Sequence, residues 1–222
     1  MNAHWPYDSV FVDGPDALTY LHSQLSQDLR NLAVGHQSWS FVLEPTGKVN
    51  ALVLVLRLSD ERFELRVDRG HGEALLTRIN RFRIRVKADT SLGAGAEGDA
   101  AAYHDERIRS GWPAMGAEIT EATIPGEMPH VVAVAVSFAK GCYPGQELVE
   151  RMDSRASQAP RRLVLVEFNQ RVAVGDPVVL DGENVGTITS TVADGTGALA
   201  LTLVRRGVEL PGEIPLGTST GA

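Results

Sequence analysis

The chain reads as an α+β protein in which an antiparallel sheet carries helices and a small β-barrel follows at the C-terminal end. Three observations carry this reading. Over residues 10–87 the apolar residues alternate between a period of two and helical spacing, in the order β-α-β-β-β-α-β, the signature of an antiparallel sheet layered with helices. After Gln158-Ala159-Pro160 helical spacing disappears, and short strand-like runs follow one another between turn signals. The 222 residues are 43% hydrophobic, enough for one large core or two small ones. The expected division is an α+β domain over residues 1–159 and a β-barrel with a tail over residues 160–222.

Val10 to Val12 predicts a short strand. Asp13 then offers a helix cap and Pro15 a first-turn residue, with Leu18, Leu21, Leu25 and Leu29 at helical spacing behind them. Gln37 to Leu43 predicts a strand and Glu44-Pro45-Thr46-Gly47-Lys48 a turn. Val49 to Leu58 is apolar enough to be a strand covered on both faces. Phe63 to Val67 continues the sheet, and His71 to Asn80 predicts a helix. Phe82, Ile84 and Val86 alternate with Arg81, Arg83, Arg85 and Lys87, the pattern of a half-buried strand whose basic stripe faces solvent. Ser91 to Ala102, rich in Gly and Ala, reads as a linker or shortened connection. Asp105 to Ser110 predicts a helical turn stopped near Gly111-Trp112-Pro113, and Val131 to Phe138 a strand. In the C-terminal part, Leu163 to Phe168, Val178 to Leu180, Val185 to Val192 and Ala198 to Val204 are the strand candidates, and Pro211 onward is a tail.

Charge and composition narrow the function. A net charge of −7 and a pI of about 5.4 argue against a general nucleic-acid binder, and so against direct tRNA contact. A single cysteine fits a reducing compartment. Met1 to Phe11 lacks the basic-then-apolar pattern of a signal peptide, and the longest apolar run, Ala51 to Leu56, is too short to span a bilayer. The expectation is a cytoplasmic protein with no membrane partner. The six histidines show no metal-ligand spacing, so no resident metal is expected. No G-x-S-x-G, P-loop or dinucleotide fingerprint is present.

The only cysteine, Cys142, lies in Lys140-Gly141-Cys142-Tyr143-Pro144-Gly145-Gln146-Glu147. Lys140 precedes it, glycines flank it, and an amphipathic helix is expected from Gln146 to Met152. A cation and a helix N-terminus both stabilise a thiolate. Glu147 and Arg151, four residues apart, suit either a surface pair or a polar lining beside the thiol, to which Gln146 adds a two-way hydrogen-bonding group. Tyr143 suits packing or ligand stacking equally.

This octapeptide, followed by Arg151, resembles the K-G-C-Y-x-G-Q-E motif of the YgfZ family of folate-binding-fold proteins. That family is linked to iron–sulfur cluster maintenance and tRNA modification and is related to the T-protein of the glycine cleavage system, a tetrahydrofolate-dependent aminomethyltransferase. Further stretches resemble the same family: Arg107-Ile108-x-x-Gly111-x-Pro113-x-x-Gly116-x-Glu118, Pro125-x-Glu127-Met128, Gly14-x-Asp16-Ala17 with Leu21 and Gln24, Pro45-x-Gly47-Lys48, and Gly186-x-Ile188-Thr189-Ser190. The resemblance implies an antiparallel-sheet folate-binding (aminomethyltransferase-like) domain with a C-terminal barrel and a tetrahydrofolate or related folate as ligand between them. It also implies iron–sulfur enzymes or cluster-assembly proteins as partners. It nominates Cys142 as the reactive thiol, and Lys140, Tyr143, Gln146, Glu147, Arg151 and Arg109 as ligand-binding residues. Two departures bear on chemistry. Asn50 and Ala51 stand where the T-protein has an acidic pair, and Arg109 stands where it has an acid that helps hold the pterin. The implied role is therefore a folate-binding factor acting through its thiol, as a redox or carrier group or as one soft ligand of a shared cluster, and not an active aminomethyltransferase. A tetrahydrofolate-dependent one-carbon transferase and a ligand-free interaction module are the competing readings.

Overall fold

The computed structural model describes residues 4–154 and 159–216. Its first half is a five-stranded antiparallel sheet of β1 (Tyr7–Asp13), β2 (Gln37–Leu43), β3 (Val49–Arg57), β4 (Arg62–Asp68) and β5 (Asp89–Ala96), in the order β2-β3-β4-β1-β5. Helices α1 (Ala17–Gln24) and α2 (Gly72–Asn80) cover one face, burying Leu21, Leu75 and Ile79 against Val10, Val53, Phe63 and Leu65. The opposite face, with Phe41, Leu43 and Leu52, packs on a second core shared with Ile108, Val131, Leu163 and Leu201. β3 is thus covered on both sides, as its continuous apolar run requires.

Helices α3 (Ala100–Arg109), α4 (Pro129–Ala135) and α5 (Gln146–Ser154) lie between this sheet and a second antiparallel one in the sequence. The second sheet contains β6 (Arg161–Phe168), β7 (Pro177–Leu180), β8 (Glu183–Asp194), β9 (Gly197–Arg205) and β10 (Glu213–Ile214). Its order is β10-β6-β9-β8-β7. Among the described residues no pairing joins β10 to β7, so the ladder expected to close as a barrel has two edges.

Several expectations are corrected. Residues 82–87 are not a strand: they form a loop, and Ile84 is 76% exposed. The sheet position is taken by β5, which begins at Asp89 and runs into the stretch from Ser91 read as a linker. The reason is steric. A Cβ at Gly93 would lie 2.3 Å from Phe11 Cε2, and one at Gly95 2.1 Å from the Tyr7 carbonyl oxygen, so only glycine lets this strand approach β1. α3 begins earlier than expected because Asp99 caps it, accepting from the N–H groups of Ala101 and Ala102. Val131 to Phe138 is not a strand either. Pro129 opens α4, and Val131 and Ala135, one turn apart, are buried in the shared core, which overrides the β-branched composition. α1 starts after Asp16 rather than Asp13 and stops before Leu25 and Leu29, which are buried beyond its end. The expected tail supplies the short edge strand β10.

Candidate functional site

The Cys142 turn connects α4 to α5. Cys142 itself is exposed, and a Cβ added at Gly141 would meet nothing within 4 Å, so the thiol stands in open surroundings. Lys140 is 7% exposed, and its Nζ donates to the carbonyls of His22, Leu25 and Gln27. These carbonyls belong to the C-terminal end of α1 and the residues after it, where a cation is favoured by the helix dipole. Burial pushes the Lys140 ammonium down to about 8. Its Nζ also sits 5.0 Å from the centroid of the Tyr143 ring. Lys140 therefore pins the turn to α1, and no hydrogen bond or ion pair links it to Cys142 among the described residues. Tyr143 is buried in the shared core, and burial pushes its phenol up to about 12. Gln146 folds back so that its Oε1 accepts from the Tyr143 N–H at 3.3 Å, while its Nε2 donates to Glu150. Glu147 and Arg151 form an ion pair one turn apart on the exposed side of α5.

The turn is locked to the β2–β3 hairpin. Gly145 has φ +83, and a Cβ there would lie 2.6 Å from the Glu44 carbonyl oxygen and 3.0 Å from Gly47 Cα. Gly47 has φ +84, and its own Cβ would meet Leu148 Cβ at 2.5 Å. Two glycines nearly a hundred residues apart in sequence thus let the hairpin and the Cys142 turn touch backbone to backbone.

On its other side the hairpin walls a cleft of about 700 Å³ formed with α2, lined by Glu44, Asn50, Thr77, Arg78 and Arg81 among others. The pairing of β2 with β3 slips here: Val42 faces Ala51 but Leu43 faces Val49, leaving Asn50 as the extra residue of a bulge. Bulges re-aim side chains and recur beside functional sites. Asn50 Nδ2 donates to Glu44 Oε1 at 2.9 Å, which fixes the amide orientation. Asn50 Oδ1 is buried and has no hydrogen-bond partner among the described residues. Arg78 is buried behind it, donating to the Leu43 carbonyl and to Gln24 Oε1 at 3.4 Å, with its guanidinium 4.8 Å from the Phe82 ring centroid. Burial holds this guanidinium below its ordinary value. Glu44 is 3.2 Å from Arg81 and 3.8 Å from Arg78. The cleft can therefore take a ligand that offers an N–H to Asn50 and negative charge to the two arginines. Gln24, Glu44 and Arg78 went unnoticed as site residues in the sequence. Arg78 shares the buried face of α2 with Leu75 and Ile79, and a cation at such a position in the sequence is the signal that could have found it.

Arg109 is not part of this neighbourhood by any described contact. It sits at the end of α3, paired with Asp105 at 2.8 Å and Asp194 at 3.1 Å, and donates to the Ala193 carbonyl. The motif residues two positions before it and nine after it form a buried clamp instead. Arg107 Nη1 lies 3.0 Å from Glu118 Oε2, Arg107 Nη2 donates to Ser190 Oγ at 2.7 Å, and Ser190 donates to Glu118 Oε1 at 2.6 Å. The R-I-x-x-G-x-P-x-x-G-x-E stretch and the Gly186-x-Ile188-Thr189-Ser190 stretch are thus one polar junction between α3 and the second sheet.

Among the described residues no group of three or more His, Cys, Asp or Glu side chains is placed to hold a metal ion, and no helix is long and apolar enough to cross a membrane. No protein-family model matches the chain. An uncharacterized protein of Haemophilus influenzae is 25% identical over 229 residues, covering 84% of this chain and 82% of that protein. Among solved structures, the glycine cleavage system aminomethyltransferase T of Bartonella henselae superposes with a TM-score of 0.74 at 16% identity, over 91% of this chain and 76% of that one. The chain has the fold of an aminomethyltransferase T.

Proposed function

We propose that this chain is a folate-binding factor of the YgfZ type that supports iron–sulfur cluster assembly or repair, and through it iron–sulfur-dependent tRNA modification, using the thiol of Cys142. The observation that carries the reading is the bulged Asn50, whose buried Oδ1 faces no partner in a cleft that shares its wall with the Cys142 turn. A reduced pterin presents ring and exocyclic N–H donors, and one of them satisfies that orphaned acceptor; a buried carbonyl left without a donor is otherwise costly. The residues present therefore fit a tetrahydrofolate. Bound folate would supply a one-carbon carrier, while Asn50 would orient it and Arg78 and Arg81 would meet its negative charge.

The same site speaks against aminomethyl transfer. An amide cannot accept a proton from a reacting amine, and the neighbouring carboxylate, Glu44, is already shared between Asn50, Arg81 and Arg78. Cys142, exposed on a turn held in place by Lys140 and Gly145, would act as a transient thiolate toward iron–sulfur enzymes or cluster-assembly proteins. A single thiol cannot hold a cluster alone. A cytoplasmic setting and two domains meeting near residue 159 complete the proposal.

Calorimetric titration of tetrahydrofolate into the wild type and into Asn50→Leu tests the ligand. Micromolar binding that weakens at least tenfold in the variant supports it, and no heat at millimolar folate refutes it. Activity of iron–sulfur enzymes in a Cys142→Ser strain tests the thiol, and undiminished activity would remove Cys142 from the function.

A further inference from the structure

A second cleft, of about 530 Å³, is lined by both helices that the Cys142 turn joins. Val132 comes from α4, Val149 and Met152 from α5, and Phe138 from the connection, just ahead of the thiol. Phe138 is 45% exposed and is the one aromatic among the exposed large apolar side chains of the described residues. The rest of the wall is basic. Arg161 and Arg162 open β6, and Arg206 follows β9. Arg161 lies 3.0 Å from the buried Glu127, yet its side chain stays 43% exposed. Arg162 pairs with Glu213. Arg206 is exposed and has no ionic partner among the described residues. No carboxylate side chain lines the cleft among those residues. Three guanidiniums thus meet two carboxylates, and the cleft keeps a positive surplus in a chain whose 28 acidic residues outnumber its 21 Lys and Arg.

From this arrangement we infer that the cleft docks an acidic segment, carrying an aromatic or aliphatic anchor, of the protein on which Cys142 acts. The inference rests on the thiol reading above and specifies the chemistry of the partner. Apolar anchors seated in a pocket supply most of the binding energy at a docking site, and charge around the rim selects the partner and its orientation. The cleft offers both. Phe138, Val132 and Val149 give an apolar surface, and the flexible thioether of Met152 adapts it to different side chains. Arg206, with the exposed part of Arg161, favours Asp or Glu beside the anchor and disfavours a basic segment. The same two helices hold the Cys142 turn, so a segment seated between them brings its protein to the exposed thiol.

The experiment selects a random peptide library displayed on phage against the wild-type protein and titrates the enriched peptides by calorimetry. The variants are Phe138→Ser and Arg206→Glu; the second alters only an exposed, unpaired side chain and serves if the first fails to fold. The expected peptides carry a large apolar residue next to two or more Asp or Glu. Their binding should weaken at least tenfold in either variant, and added salt should weaken it in the wild type. Enriched peptides that are basic, or that bind both variants as tightly as the wild type, overturn the inference. So does a wild-type dimer that Phe138→Ser dissociates, which would give the cleft to a second copy of the chain. Laurate binding that displaces the peptides would give it to a small amphiphile, with the same consequence. Strains separate this inference from the thiol reading. Iron–sulfur enzyme activity should fall in Arg206→Glu as it does in Cys142→Ser. Full activity in Arg206→Glu beside a loss in Cys142→Ser overturns the docking site and leaves the thiol standing, whereas full activity in both removes the two together.

Discussion

Replacing Glu118 by alanine probes the junction between α3 and the second sheet most directly. Glu118 is 1% exposed and accepts three hydrogen bonds, from Arg107 Nη1 at 3.0 Å, the Ala114 N–H at 3.0 Å and Ser190 Oγ at 2.6 Å. Glu118→Ala leaves the buried Arg107 guanidinium without its counter-ion and strands two further donors. Removing one partner of a buried ion pair costs about 3–5 kcal/mol. For a chain of this size each kcal/mol lowers the melting temperature by about 2–4 °C, so a fall of roughly 6–20 °C is expected. Urea unfolding should show the same loss as a lower midpoint at unchanged slope. The double variant Arg107→Met/Glu118→Leu should be more stable than Glu118→Ala, because it removes both charges and keeps the volume filled. A loss below about 1 kcal/mol in the single variant would mean that water reaches the pair, and the argument from burial would fail.

Gly145→Ala should destabilise by about 2 kcal/mol or more, since it combines φ +83 with a Cβ 2.6 Å from the Glu44 carbonyl oxygen, and thermal melts would show it. Iodoacetamide should alkylate Cys142 stoichiometrically in the native protein, and protection until denaturant is added would contradict its exposure. Glu213 is held below its ordinary value of 4.5, chiefly by hydrogen bonds from Arg162. A depressed carboxylate stabilises the fold above its unfolded value and loses that contribution as pH falls through the folded one. Glu213→Gln should therefore flatten the loss of stability below pH 4.5, as followed by acid titration of the melting temperature.

Much of the architecture is legible in the sequence because periodicity reports burial. The strands at Gln37 to Leu43 and Phe63 to Val67, the helix ending at Asn80 and the run of strands after Pro160 all bury the residues that their spacing marks. The failures share a cause: contacts distant in sequence decide where local pattern misleads. Arg81 to Lys87 has strand alternation but forms a loop, and the place beside β1 is taken by β5. Val131 to Ala135 has strand composition, but a proline start and the shared core make it helical. The Cys142 octapeptide forms the turn that its glycines and proline predict, yet Lys140 turns away from the thiol toward α1. The cleft is hidden from sequence because Asn50 becomes special only through a bulge, and a bulge depends on how two strands register.

The glycines of β5 have a consequence for self-association. β5 is the outer strand of the first sheet, and its far side offers backbone groups to any strand that might add there. Gly93 and Gly95 carry no side chains to grip an incoming strand, and Gly95, at φ +63 opposite a slip in pairing with β1, breaks the regular spacing of those groups. The residues that let β5 close the sheet also make it a poor template, which blunts this edge against recruiting a second molecule.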